Sequence, residues 1–108
     1  MASGIILGNV RAMGIASVAL TPAQVAANTT AEQTFTVPGL LLTDIVHGIS
    51  KPTAQAGLGI VGMRISALNT IAITFSNNTG AGITPTAGET YQIAWMRPES
   101  VQVGVAGV

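Results

Sequence analysis

Ala31-Glu32-Gln33-Thr34-Phe35-Thr36-Val37, closed by Pro38-Gly39, is the stretch that decides the fold of this chain. Glu32, Thr34 and Thr36 fall on one side of a two-residue period, and Gln33, Phe35 and Val37 fall on the other. Thr, Phe and Val suit a half-buried pleated surface. Pro-Gly then supplies the turn chemistry that ends it. The segment reads as a β-strand with one face turned to a core.

The same reading recurs in both directions. Downstream, Asp44 to Ser50 is a short strand stopped by Lys51-Pro52, and Gly59 to Ser66 is another. Asn69 to Ser76 alternates Ile71, Ile73 and Phe75 with Thr70, Ala72, Thr74 and Ser76. Thr90 to Arg97 sets Tyr91, Ile93, Trp95 and Arg97 against Gln92, Ala94 and Met96, and Pro98 ends it. Upstream, Gly14 to Leu20 is a strand ended by Thr21-Pro22. Gly, Pro and Asn punctuate the intervals, with Asn77-Asn78-Thr79-Gly80 as a turn cluster. Only Pro22 to Ala27 leaves room for a turn of helix.

Short strands at regular spacing predict an all-β fold, a single compact β-sandwich or small barrel over residues 14–98. Its expected core is Phe35, Val37, Ile71, Ile73, Phe75, Ile93 and Trp95. Residues 1–13 read as an N-terminal arm, and residues 99–108 as a C-terminal tail or edge strand.

Charge sets the class of function. Asp, Glu, Lys and Arg make up 7% of the chain, against about 25% in an ordinary soluble domain. The apolar share, 48%, is ordinary, so Thr, Ala, Gly, Ser, Asn and Gln have taken the place of the charges. The net charge is zero. Little repulsion then keeps copies apart, and such a surface makes sense when other subunits cover it. A homo-oligomer is expected, a trimer before a dimer. The four basic residues, Arg11, Lys51, Arg64 and Arg97, are scattered and form no stripe for phosphates. Direct binding of nucleic acid is therefore not expected. No apolar run reaches the roughly 18–20 residues of a membrane span. Arg11 followed by Ala12 to Leu20 imitates the apolar part of a signal peptide, but Ile5-Ile6-Leu7 before it is unlike a short charged leader.

Candidate sites of chemistry are few. Without Cys, disulfides, thiol chemistry and Cys-type zinc sites are excluded. Gly57-Leu58-Gly59-Ile60-Val61-Gly62 matches G-x-G-x-x-G. A dinucleotide site needs a strand before that motif, a helix after it and an acid about 20 residues on. Here a loop precedes it, a strand-like segment follows, and residues 78–83 carry no acid. His47 is the single imidazole, and Asp44, three residues away, falls on the opposite face of a strand. Asn28-Thr29-Thr30 and Asn77-Asn78-Thr79 match a glycosylation sequon, which a Thr-rich chain produces by chance. No catalytic, cofactor or metal site is expected, and the chain does not read as an enzyme.

From Pro22 to Pro98 the chain is similar to small β-rich structural proteins of tailed bacteriophages. The residues that carry this are Val25 to Val37 with Gly39-Leu40, then Gly57 to Ile60, Arg64 to Phe75, and Thr84-Pro85-Thr86-Ala87-Gly88 before the Tyr91 strand. Among those proteins it most resembles capsid decoration (cement) proteins. The resemblance implies a non-enzymatic virion part, made in the bacterial host cytoplasm. It would bind the major capsid protein on the capsid exterior and hold neighbouring subunits against internal pressure. A tail, baseplate or fibre-associated component, or a carbohydrate-binding β-sandwich module, is the alternative. The expected contact residues lie at the chain ends: Ile5, Ile6, Leu7, Val10 and Arg11 in the arm, and Val101, Val103 and Val105 in the tail. These alternate or cluster apolar side chains that neither segment buries alone.

Overall fold

A computed structural model of the chain describes residues 9–99. It contains six strands: β1 (Val10–Leu20), β2 (Thr29–Thr36), β3 (Ile45–Ser50), β4 (Leu58–Ala67), β5 (Thr70–Asn77) and β6 (Glu89–Pro98). They form two three-stranded antiparallel sheets, ordered β1-β6-β3 and β2-β5-β4. The fold is the expected small β-sandwich. No helical turn forms at Pro22 to Ala27; instead Val25 bridges Ile83 through a reciprocal pair of backbone hydrogen bonds.

Strand parity places the core as the alternation predicts. Ile71, Ile73 and Phe75 of β5 and Ile93 of β6 have no exposed surface, and Val37 is buried just after β2. Phe35 and Trp95 pack against this core half-buried. Phe35 lies on the edge strand β2, and Trp95 stands near the end of β6, where the sandwich opens. Leu20, Val25, Leu40 and Tyr91 complete the cluster. Two of these, Val25 and Leu40, sit in inter-sheet connections and act as plugs between the sheets.

Asparagines fasten the connections. The Asn77 side chain is buried, and every one of its hydrogen-bonding groups is used. Its amide nitrogen donates to the carbonyls of Val25 and Ala81, and its oxygen accepts from the Thr79 amide and hydroxyl. Asn69 takes a left-handed conformation, φ 57°, at the tip of the β4–β5 hairpin. It exchanges backbone hydrogen bonds with Val37 and Leu40 and accepts the Gly39 amide on its side chain. The hairpin tip is thereby tied to the connection between β2 and β3.

The first strand begins at Val10 and not at Gly14. Val10 and Arg11, expected in the arm, therefore belong to β1. Its partner β6 ends level with it: Val10 faces Pro98, and the Glu99 amide donates to the Asn9 carbonyl at 2.6 Å. The two ends of the described chain leave the sandwich side by side.

Candidate interaction surface

The outer faces of the two sheets differ in chemistry. On the β2-β5-β4 sheet the outward positions are mostly polar, Thr30, Glu32, Thr34, Thr36, Thr74 and Ser76, with Arg64 across from a covered Ala72; Val61, in the β4 bulge, is the exposed apolar side chain among the described residues of these strands. Arg64 binds Glu32 through two hydrogen bonds, 2.8 and 2.9 Å. This is a hydrated face, and the guanidinium beside Glu32 holds that carboxyl below its ordinary range.

The β1-β6-β3 sheet turns apolar side chains outward. Parity sends Gly14, Ala16, Val18 and Leu20 of β1 inward, so Met13 and Ile15 point out, 66% and 63% exposed. Ile45 of β3 is 52% exposed. The register aligns them into rows across the sheet. Met13 faces Met96, which faces Ile45; Ile15 faces Ala94, which faces Gly48. Neither row carries a charge. The next row, Ser17–Gln92–Ser50, is polar but also uncharged. Met96 and Ala94 are half-buried on the middle strand.

One ion pair builds the end of this sheet. Arg97 projects inward from β6, at the open end of the sandwich, and its guanidinium lies 4.9 Å over the Trp95 ring. It grips Asp44 with both arms, Nε to Oδ1 at 2.7 Å and a terminal nitrogen to Oδ2 at 2.8 Å, and also donates to the Gly39 carbonyl. The Asp44 side chain is fully buried and accepts the Leu41 amide as well. The Arg97 hydrogen bonds hold its carboxyl below the ordinary range against the opposing effect of burial, with the Leu41 amide assisting. The connection 39–44 is thus clamped to β6, which fixes exposed Leu41 beside Ile45. An open cleft of about 480 Å³ lies there, lined by Arg11, Leu41, Thr43, Ile45, Arg97, Pro98 and Glu99.

The residues singled out by sequence fall into two groups. Val10 and Arg11 stand at the start of β1, exposed, with Arg11 on the rim of that cleft. Ile5, Ile6, Leu7, Val101, Val103 and Val105 lie outside the described residues. His47 is exposed on β3, in the bulge between Val46 and Gly48, while Asp44 is occupied by Arg97; the two share no site. Gly57 makes a left-handed turn, φ 82°, where a Cβ would collide with the Thr79 methyl. Gly59 and Gly62 sit within β4, so strand follows where a phosphate-binding motif needs a helix. The buried, fully bonded Asn77 amide is closed to glycosylation in the folded protein.

The sequence does not reveal the Met13–Met96–Ile45 row, because its pattern places Met13 in the arm. Nor does it pair Asp44 with Arg97, although a signal exists: Arg97 shares the face of Ile93 and Trp95, and a charge on a core face calls for an acid. Comparison with protein-family models, with curated proteins and with solved structures finds no match to this chain.

Proposed function

We propose that the chain is a non-enzymatic structural subunit of a tailed-phage virion, a decoration protein that binds the capsid exterior and bridges neighbouring major capsid subunits. The observation that carries this reading is the neutral surface. Among the described residues three ion pairs, Lys51–Glu89, Arg64–Glu32 and Arg97–Asp44, neutralise most of the few charges, and two of them are largely buried. What remains for contact is an uncharged apolar sheet face beside paired chain ends. Such a surface associates by shape, apolar burial and backbone hydrogen bonding, which lose little to salt. The resemblance of residues 22–98 to phage structural proteins supplies the setting.

Cryo-electron microscopy of the intact particle tests it. The expected result is density for the sandwich on the outer capsid surface. Density at the tail or baseplate would replace the decoration reading with the tail-component reading. Absence of the chain from purified particles would overturn both.

A further inference from the structure

We infer that the outer face of the β1-β6-β3 sheet is the contact between copies of this chain, and that residues 1–8 and 100–108 of the neighbouring copy complete it. The inference rests on reading the chain as an assembly subunit. It adds which surface assembles and what covers it.

Area decides what the face needs. Strands lie about 4.8 Å apart and rise about 3.4 Å per residue, so two apolar rows across three strands offer roughly 200–300 Å². A stable interface takes about 800 Å² from each partner. The rows Met13–Met96–Ile45 and Ile15–Ala94–Gly48 therefore supply well under half of a contact, and something must extend them.

The extension is placed by the chain ends. Asn9 and Glu99 are hydrogen-bonded to each other at the end of this sheet nearest the Met13–Met96–Ile45 row. Asn9 and Glu99, to which residues 1–8 and 100–108 are joined, thus stand at the edge of the apolar face. Neither segment contains a charged side chain, and between them they hold Ile5, Ile6, Leu7, Val101, Val103, Val105 and Val108. Face and ends have the same chemistry, apolar and neutral. No Lys, Arg, Asp or Glu stands in the rows for a nucleic acid or an anionic membrane to complement, and the exposed His47 in the bulge beside Gly48 is a single imidazole at their edge. A second copy brings both components in one molecule. Its ends lengthen the contact, and its own face is left to accept the next copy. Contacts of this head-to-tail kind close into rings when the rotation allows, which fits a trimer.

The chain itself tests this in solution, without particles. Sedimentation of the full chain at micromolar concentration is expected to give an oligomer that persists when salt is raised. Met13→Glu with Ile15→Lys places charges on exposed positions of the face. These should weaken self-association at least tenfold while leaving thermal unfolding of the domain in place. Val61→Lys, an exposed apolar position on β4, should leave assembly unchanged. Removing residues 1–8 should weaken association as well. Because the chain has no Cys, Ile15→Cys alone can be labelled; its thiol should be protected in the oligomer, and that of Val61→Cys open.

A monomeric full chain, or an oligomer indifferent to the Met13 and Ile15 changes, overturns the inference. The two readings fail separately. A monomer that still decorates particles sinks the self-contact and spares the virion role. An oligomer held by this face that is absent from particles does the reverse.

Discussion

Gly14 lies directly under the indole of Trp95. The two residues face each other across the β1–β6 ladder, and a Cβ on Gly14 would stand 3.0 Å from Cζ2, 3.2 Å from Cε2 and 3.3 Å from Nε1 of the ring. The ring is flat and rigid and has the Arg97 guanidinium on it, so it cannot yield by a simple rotamer change. Gly14→Ala is therefore expected to destabilise the domain by about 1–2 kcal/mol through overpacking, despite the gain that Ala brings over Gly in a strand. Urea unfolding followed by Trp95 fluorescence measures it, since the chain has one Trp. An unchanged midpoint and emission maximum would mean that the indole does not rest on this glycine.

The Arg97–Asp44 clamp and the Arg64–Glu32 pair have similar bond lengths but different surroundings. Asp44 is buried, whereas the Arg64 and Glu32 side chains are 63% and 38% exposed. Removing Arg97 strands a buried carboxylate, while removing Arg64 returns an exposed one to water. Arg97→Ala is expected to lower the melting temperature by several degrees and Arg64→Ala to leave it nearly unchanged. The acid side of the stability profile carries the same signature. The folded Asp44 carboxyl titrates below its unfolded value, so its contribution is complete above about pH 4–5 and is lost as pH falls through the lowered value. Asp44→Asn should flatten that part of the profile relative to the wild type. Equal losses from the two arginine variants would contradict the argument.

Tyr91 has no exposed surface, and its hydroxyl has no hydrogen-bond partner among the described residues. A buried hydroxyl left unpaired costs stability, and removing it costs nothing in return. Tyr91→Phe should be neutral or stabilising by about 1 kcal/mol. Burial, and secondarily the Glu89 carboxylate, raise the phenol above its ordinary value. Stability from keeping it neutral is thus complete below about pH 10 and is lost as pH rises through the raised value. The Phe variant should lose less stability than the wild type in alkaline melts. A loss of stability on replacement at neutral pH would mean that the hydroxyl has a partner.

Much of this fold was readable because a two-residue period is a local signal. Ile71, Ile73 and Phe75 announce their inward face within seven residues of sequence, and the structure buries all three. Val25 and Leu40 carry no such signal. They plug the core from connections, and only the crossing of chain between sheets makes them interior. The partnership of Asp44 with Arg97 spans 53 residues and exists only because the 39–44 connection folds back on β6. The outward face of β1 was hidden for a different reason. Its period runs unbroken from Met13 through Ile15 and Ser17, but Gly14 between them reads as a strand start. Only pairing with Met96 and Ala94 reveals that Met13 belongs to the sheet. Of the terminal residues expected to make contacts, Val10 and Arg11 are in β1 and the others lie outside the described residues; the described positions next to them, Asn9 and Glu99, are hydrogen-bonded neighbours.

Where β1 begins changes how the arm should be removed. A cut after residue 12 would take Val10 and Ala12 with it, and these pair with Pro98 and Arg97. It would also take the Asn9 carbonyl that accepts the Glu99 amide. That truncation should loosen the end of the sheet that holds Arg97 over Trp95, giving a lower melting temperature and a shifted Trp emission. A cut after residue 8 leaves every described pair intact, so its melting curve should overlay that of the full chain. Particle binding then reports on the arm alone. On the decoration reading, the chain lacking residues 1–8 should saturate particles only at higher concentration than the full chain. If both truncations melt like the full chain, Val10 to Ala12 contribute nothing to the sheet. If the shorter truncation decorates particles with undiminished affinity, the arm has no part in attachment and the contact lies on the sandwich itself.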